Sequence, residues 1–104
     1  MSVDINIKNN KEFIEIRPEG EATILTAKEI YNKILPVVDL KKEIQINNEK
    51  VTTADITYLQ ILFSLEKHFQ AKKVKYKIDY NSNVIADLLI EVGADFYDTN
   101  LNED

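Results

Sequence analysis

The stretch "DITYLQILFSLEKHF", residues 55–69, decides the fold. Leu59, Leu62, Leu65 and Phe69 recur at helical spacing, with Phe63 beside them, so a buried amphipathic helix is predicted over about 57–70. Two side chains compete to start it. Thr57 can be the N-cap, and Gln60 three residues on completes a T-x-x-Q capping box. Asp55 reads as a turn residue or as an alternative cap. The same hydroxyl has a second use. A phosphate added there would meet free N–H groups and the positive end of the helix dipole, and would place a charge of about −1.5 to −2 on the surface. Cap and switch both remain open at this stage.

Outward from that helix the chain alternates between strand and helix patterns. Before it, "EIQIN", 43–47, puts Ile44 and Ile46 on one face of a strand, and "NEKVTTAD" reads as the crossover into the helix. After it, residues 73–79 alternate Val74, Tyr76 and Ile78 with Lys73, Lys75 and Lys77, a half-buried strand. "NSN", 81–83, then caps a third helix with Val84, Ile85, Leu88, Leu89 and Val92 apolar and Gly93 suited to its C′ position. Upstream, Val3, Ile5 and Ile7 alternate as a first strand. "NNK" is a turn, and "FIEIR", 13–17, is a second strand ended by "PEG". In "ATILTAKEIYNKILPVVD" Thr26 and Glu29 form a capping box for a first helix, which Pro36 kinks or ends near Leu35.

The expected order is β-β-α-β-α-β-α, an α/β domain with a four-stranded mixed sheet and helices mainly on one face. One domain over 1–98 and a polar tail over 99–104 are expected. With 104 residues, 44% apolar and 30% charged, the chain is ordinary for one globular core.

Composition narrows the chemistry. The net charge of −5 and a single arginine, Arg17, argue against nucleic acid as a partner. Zero cysteines exclude disulfides and thiolate sites. The lone histidine, His68, has no second histidine or cysteine to work with. Gly20 and Gly93 are isolated, so there is no phosphate loop. Asp4, Asp39, Asp87 and Asp95 have loop or helix-surface explanations. Lys72, Lys73, Lys75 and Lys77 read as guards of a sheet edge or open face. No catalytic set, cofactor site or metal site is expected. The start "MSVDINIKNN" lacks a signal-peptide pattern and no run is long enough to span a bilayer, so a cytoplasmic location without membrane insertion is the expectation.

Three segments, in order, resemble the STAS domain of anti-sigma factor antagonists. "GEATILTAKEIYNKIL", 20–35, is similar to the family's G-x-L-T-I-x-T-A segment. "DITYLQILFSLEKH", 55–68, is similar to its D-[ST]-[SA]-G-L-Q-x-L-L motif, and "NSNVIADLLIEVGAD", 81–95, to its last helix. The resemblance implies a non-enzymatic interaction module in bacterial partner switching. Its partner would be an ATP-dependent kinase, often itself the anti-sigma factor, and a phosphatase would reverse the modification. Thr57 falls on the usual phosphoacceptor position and Asp55 on the acidic residue two before it. Asp55, Ile56, Thr57 and Tyr58, flanked by Asn81, Ser82 and Asn83, are the implied partner surface. Ile56 stands in place of a small residue, Tyr58 in place of the glycine and Asn47 in place of an acid. Tyr58 would fill space that a kinase has to approach, and would supply a buried hot-spot contact to a partner. Other members implied by the resemblance are unphosphorylated subunits of lipid-transport ATPases or accessory proteins of chemotaxis-type signalling.

Overall fold

The computed structural model describes residues 3–92. The strands are β1 (Val3–Asn9), β2 (Phe13–Ala22), β3 (Glu43–Ile46), β4 (Val51–Ala54) and β5 (Tyr76–Ile78). The helices are α1 (Ala27–Ile34), α2 (Ile56–Ala71) and α3 (Asn83–Val92), with a 3₁₀ helix over Leu35–Leu40. Gly93, Asp95, the end of the domain at 98 and the tail lie outside the described residues.

The sheet order is β1-β2-β3-β5, with β4 also on β2. β1 pairs with β2 antiparallel; the other pairings are parallel. The mixed α/β architecture is as expected, with one more strand. "VTTA" is not mere crossover: β3 takes the first half of β2 and β4 the second, on the same edge. β2 therefore does not stop at "PEG" but runs to Ala22. Pro18 survives inside it for a local reason. Ile16 O accepts from Asn47 N at 2.8 Å and Gly20 N donates to Lys50 O at 3.1 Å, both on the β3/β4 side. Alternation puts Pro18 on that same side between them, where the turn at 47–50 interrupts the ladder and no donor is needed.

Val3, Ile14, Ile16, Ala22, Ile44, Ile46 and Val51 form the sheet's contribution to the core. Ile30, Ile34, Leu59, Leu62, Leu65, Phe69 and Ile85 meet them from the helices. On the opposite face Asn6, Glu15, Arg17, Gln45 and Lys77 are half-buried or exposed. There Glu19 accepts from Asn6 and pairs with Arg17 at 3.5 Å.

The helix starts differ from the capping boxes expected. Thr26 sits at the N-cap position of α1 but makes no side-chain cap. Its backbone is already αR, and its hydroxyl donates instead to Glu21 O at 2.7 Å and accepts from Thr23 N at 3.0 Å. It fastens the β2–α1 loop rather than the helix. Pro36 ends α1 as expected, in the first turn of the 3₁₀ helix. The last strand is shorter than the alternation suggested. Lys73 takes a left-handed backbone (φ 58°) and Val74 N donates to Phe69 O at 3.0 Å, so that segment closes α2 before the strand begins.

Candidate functional site

α2 begins one residue before Thr57, and its N-cap is Asp55. One Asp55 oxygen, Oδ1, accepts from Tyr58 N at 3.3 Å, and Oδ2 accepts from Ile24 N at 2.9 Å. Asp55 thus ties the β2–α1 loop to the start of α2 with one carboxylate. The bond to Tyr58 N makes Asp55, not Thr57, the cap, and the bond to Ile24 N adds a tie that spans 31 residues of chain. The expected T-x-x-Q box does not form. Thr57 stands in the first turn, partly exposed, and its hydroxyl has no hydrogen bond to another described residue.

The loop held by Asp55 presents two large apolar side chains to solvent, Ile24 at 69% and Leu25 at 70% exposure, and Ile56 next to Asp55 is 41% exposed. Water-facing apolar residues gathered at one helix start are the kind of feature that marks a contact surface. Ile24 and Leu25 were not among the sequence-derived site residues. The available signal was an apolar pair ahead of the helical period that starts at Ile30.

Tyr58 corrects an expectation. It is fully buried, not a surface contact. Its hydroxyl donates to Asn48 Oδ1 at 2.6 Å, and Asn48 Nδ2 donates to Asp79 O at 2.8 Å. Asn48 is itself fully buried, so the pair satisfies two polar groups that would otherwise cost stability in the core. Burial, and then the nearby Asp79 charge, hold the phenol well above its ordinary ionisation range. The chain joins the β3–β4 turn, the start of α2 and the β5–α3 loop.

Asp79 carries the link onward. Its Oδ1 accepts from Asn81 N at 2.8 Å, and Ser82 caps α3 by accepting from Ile85 N at 3.4 Å. Asn81, Ser82 and Asn83 line a cleft of about 420 Å³ with Glu49, Val51, Asp79 and Val84. These residues share an end of the sheet with Asp55 and Thr57 because every parallel strand finishes there. Thr57 does not line the cleft. Asn47, in the place of an acid, closes its own turn: its Oδ1 accepts from Glu49 N at 2.9 Å. His68 is half-buried late in α2, its ring 6.4 Å from that of Phe69. Among the described residues no group of acidic or histidine side chains could hold a metal ion, and no helix is long and apolar enough to cross a membrane.

No protein-family model and no curated protein matches the sequence. Solved structures do share its fold. An anti-sigma factor antagonist from Mycobacterium paratuberculosis superposes with a TM-score of 0.70 at 16% identity, covering 97% of this chain and 92% of that one. The anti-sigma factor antagonist SpoIIAA in its unphosphorylated form gives 0.65 at 16% identity, over 86% and 84% of the two chains. The STAS domain of an anti-sigma factor antagonist from Rhodobacter sphaeroides gives 0.56 at 15% identity, over 73% and 84%. Mglu gives 0.67 at 10% identity; 76% of this chain is covered, but the match spans only 20% of Mglu. The fold of the chain is the STAS fold.

Proposed function

We propose that this STAS-fold chain is a non-enzymatic protein–protein interaction module of partner-switching regulation, with Thr57 as the phosphoacceptor of a partner kinase that is, or is allied to, an anti-sigma factor. One observation carries the reading. Asp55 takes over the capping of α2, which leaves the Thr57 hydroxyl without a hydrogen-bonding duty to the described fold. Exposed Ile24, Leu25 and Ile56 around it supply apolar contact area. The likeness to antagonist structures, SpoIIAA among them, supports the same reading at the level of fold.

The chemistry of the switch is simple. The Thr57 oxygen takes the γ-phosphoryl group of kinase-bound ATP, ADP leaves, and the hydroxyl proton passes to the kinase. All catalysis belongs to the partner. The new dianion then competes with the Asp55 carboxylate for the same helix N-terminus, and like charges at that range repel. Asp55 is drawn off Tyr58 N and Ile24 N, and the apolar loop loses its tether. A contact surface built on Ile24, Leu25 and Ile56 is dismantled in the same event that charges it. The setting we propose is the cytoplasm of a bacterium.

A second reading has one observation in its favour. Tyr58 occupies the motif's glycine position and locks the turn into the core. A surface of fixed shape suits a constitutive subunit of a larger assembly, such as a lipid-transport ATPase or a chemotaxis-type complex, with Thr57 unmodified.

The two readings separate on modification. Wild type and Thr57→Ala are incubated with source-cell lysate and γ-labelled ATP, and the label is mapped by mass spectrometry. Label on Thr57, absent from the variant, is the expected result. No label, or label confined to other hydroxyls, rejects the switch and leaves the fixed subunit.

A further inference from the structure

At the far end of α2 from Thr57, roughly 20 Å along the helix, the surface changes sign. A cleft of about 520 Å³ is lined by Lys41, Lys42, Lys72, Lys73 and Lys75, with only Asp39 and Glu43 opposing them and Val38 and Val74 as its apolar lining. The cleft thus carries an excess of cations in a chain whose net charge is −5. Topology brings the lysines together. β3 and β5 are adjacent and parallel, so the loops that lead into them, 41–42 and 72–75, lie side by side.

Lys42 is engaged, its Nζ donating to Asn9 Oδ1 at 2.7 Å and Asn10 O at 2.9 Å. Lys41, Lys72, Lys73 and Lys75 are exposed, and none forms an ion pair with another described residue. Lysines after a helix do complement its C-terminal carbonyls. That explains Lys72, the C-cap residue, and not Lys75. Lys41 and Lys73 are also the two described non-glycine residues with positive φ, 57° and 58°. Each stands where glycine is the cheaper residue. Both loops carry a cation at that position, and both border the same cleft.

We propose that this cleft is a second docking surface, which takes an acidic peptide segment of a partner protein. Charge complementarity sets the sign of the occupant. The lining has no arginine for bidentate phosphate contacts and no aromatic ring for stacking a base, so nucleic acid is not matched. A concave cleft suits an extended chain better than a flat lipid surface. Val38 and Val74 give such a chain an apolar contact between the charges.

The test is a fluorescence-anisotropy titration of the chain with a short labelled oligoglutamate, against oligoglutamine of the same length. Phosphatidylserine vesicles and inorganic phosphate serve as competitors. The test variant is Lys41→Asn/Lys73→Asn/Lys75→Gln, since asparagine tolerates the left-handed backbone. A Lys8→Gln/Lys28→Gln control removes exposed charge elsewhere. The expected result is saturable, salt-sensitive binding of oligoglutamate alone, weakened about tenfold in the triple variant and unchanged in the control. Equal binding by the triple variant, equal loss in the control, no saturable binding, or displacement of the peptide by vesicles or phosphate would each overturn the proposal.

Discussion

The phenol of Tyr58 donates to Asn48 Oδ1 at 2.6 Å, and both side chains are fully buried. The bond crosses from α2 to the turn between β3 and β4, so it pins the start of α2 to the end of the sheet. Tyr58→Phe keeps the ring and strands the Asn48 oxygen. The expected cost is about 1–3 kcal/mol, read as a lower urea midpoint at unchanged m-value. Tyr58→Gly, which restores the motif's glycine, empties a core site as well and is expected to cost more than about 4 kcal/mol.

The same phenol gives the protein an alkaline weakness. Its folded pKa lies above the ordinary value of 10.0, so the unfolded chain releases this proton first as pH rises. The contribution is intact below pH 10.0 and is lost as pH climbs from there through the folded pKa. Over that window the loss grows steadily with pH, because the unfolded chain is ionised at this group and the folded chain is not. Denaturation midpoints of wild type and Tyr58→Phe should therefore converge above that pH and stay parallel below it.

Capping and switching are separable by stability alone. Asp55→Ala loses the cap and the tie to Ile24, and is expected to cost about 1–2 kcal/mol. Thr57→Ala should stay within about 0.5 kcal/mol of wild type. The opposite ranking in thermal or urea unfolding would return the cap to Thr57.

Ile24 and Leu25 are exposed, so the proposed contact role and the fold can be tested apart. Ile24→Ser with Leu25→Ser should leave stability within about 0.5 kcal/mol. Partner affinity, once a partner is in hand, should fall by about tenfold or more in surface plasmon resonance, as expected for the loss of apolar anchors.

The architecture was legible wherever a strong period coincided with burial. Leu59, Leu62, Leu65 and Phe69 all face the core, as do Ile44 and Ile46. β4 hid because it is short and shows no alternation: Thr52 and Thr53 are both exposed. Only the second half of β2 hid, behind Pro18, whose tolerance depends on a gap between two partner strands that local sequence does not display. The cap of α2 was ambiguous within the sequence, since Asp55 and Thr57 are both capable. In the fold Asp55 is the cap, and it also accepts from Ile24, distant in the chain. Tyr58 misled most. An aromatic in a motif's glycine position reads as added surface until its partner Asn48, ten residues upstream, is seen inside the core.

The central claim is that a charge at Thr57 decides who binds. Wild-type, Thr57→Ala and Thr57→Glu chains serve as baits in source-cell lysate, and captured proteins are quantified by mass spectrometry. The account predicts one kinase-like or sigma-regulating protein held by wild type and by Thr57→Ala, and lost on Thr57→Glu. The same partner held equally by all three baits would contradict it, and would make this surface a fixed joint.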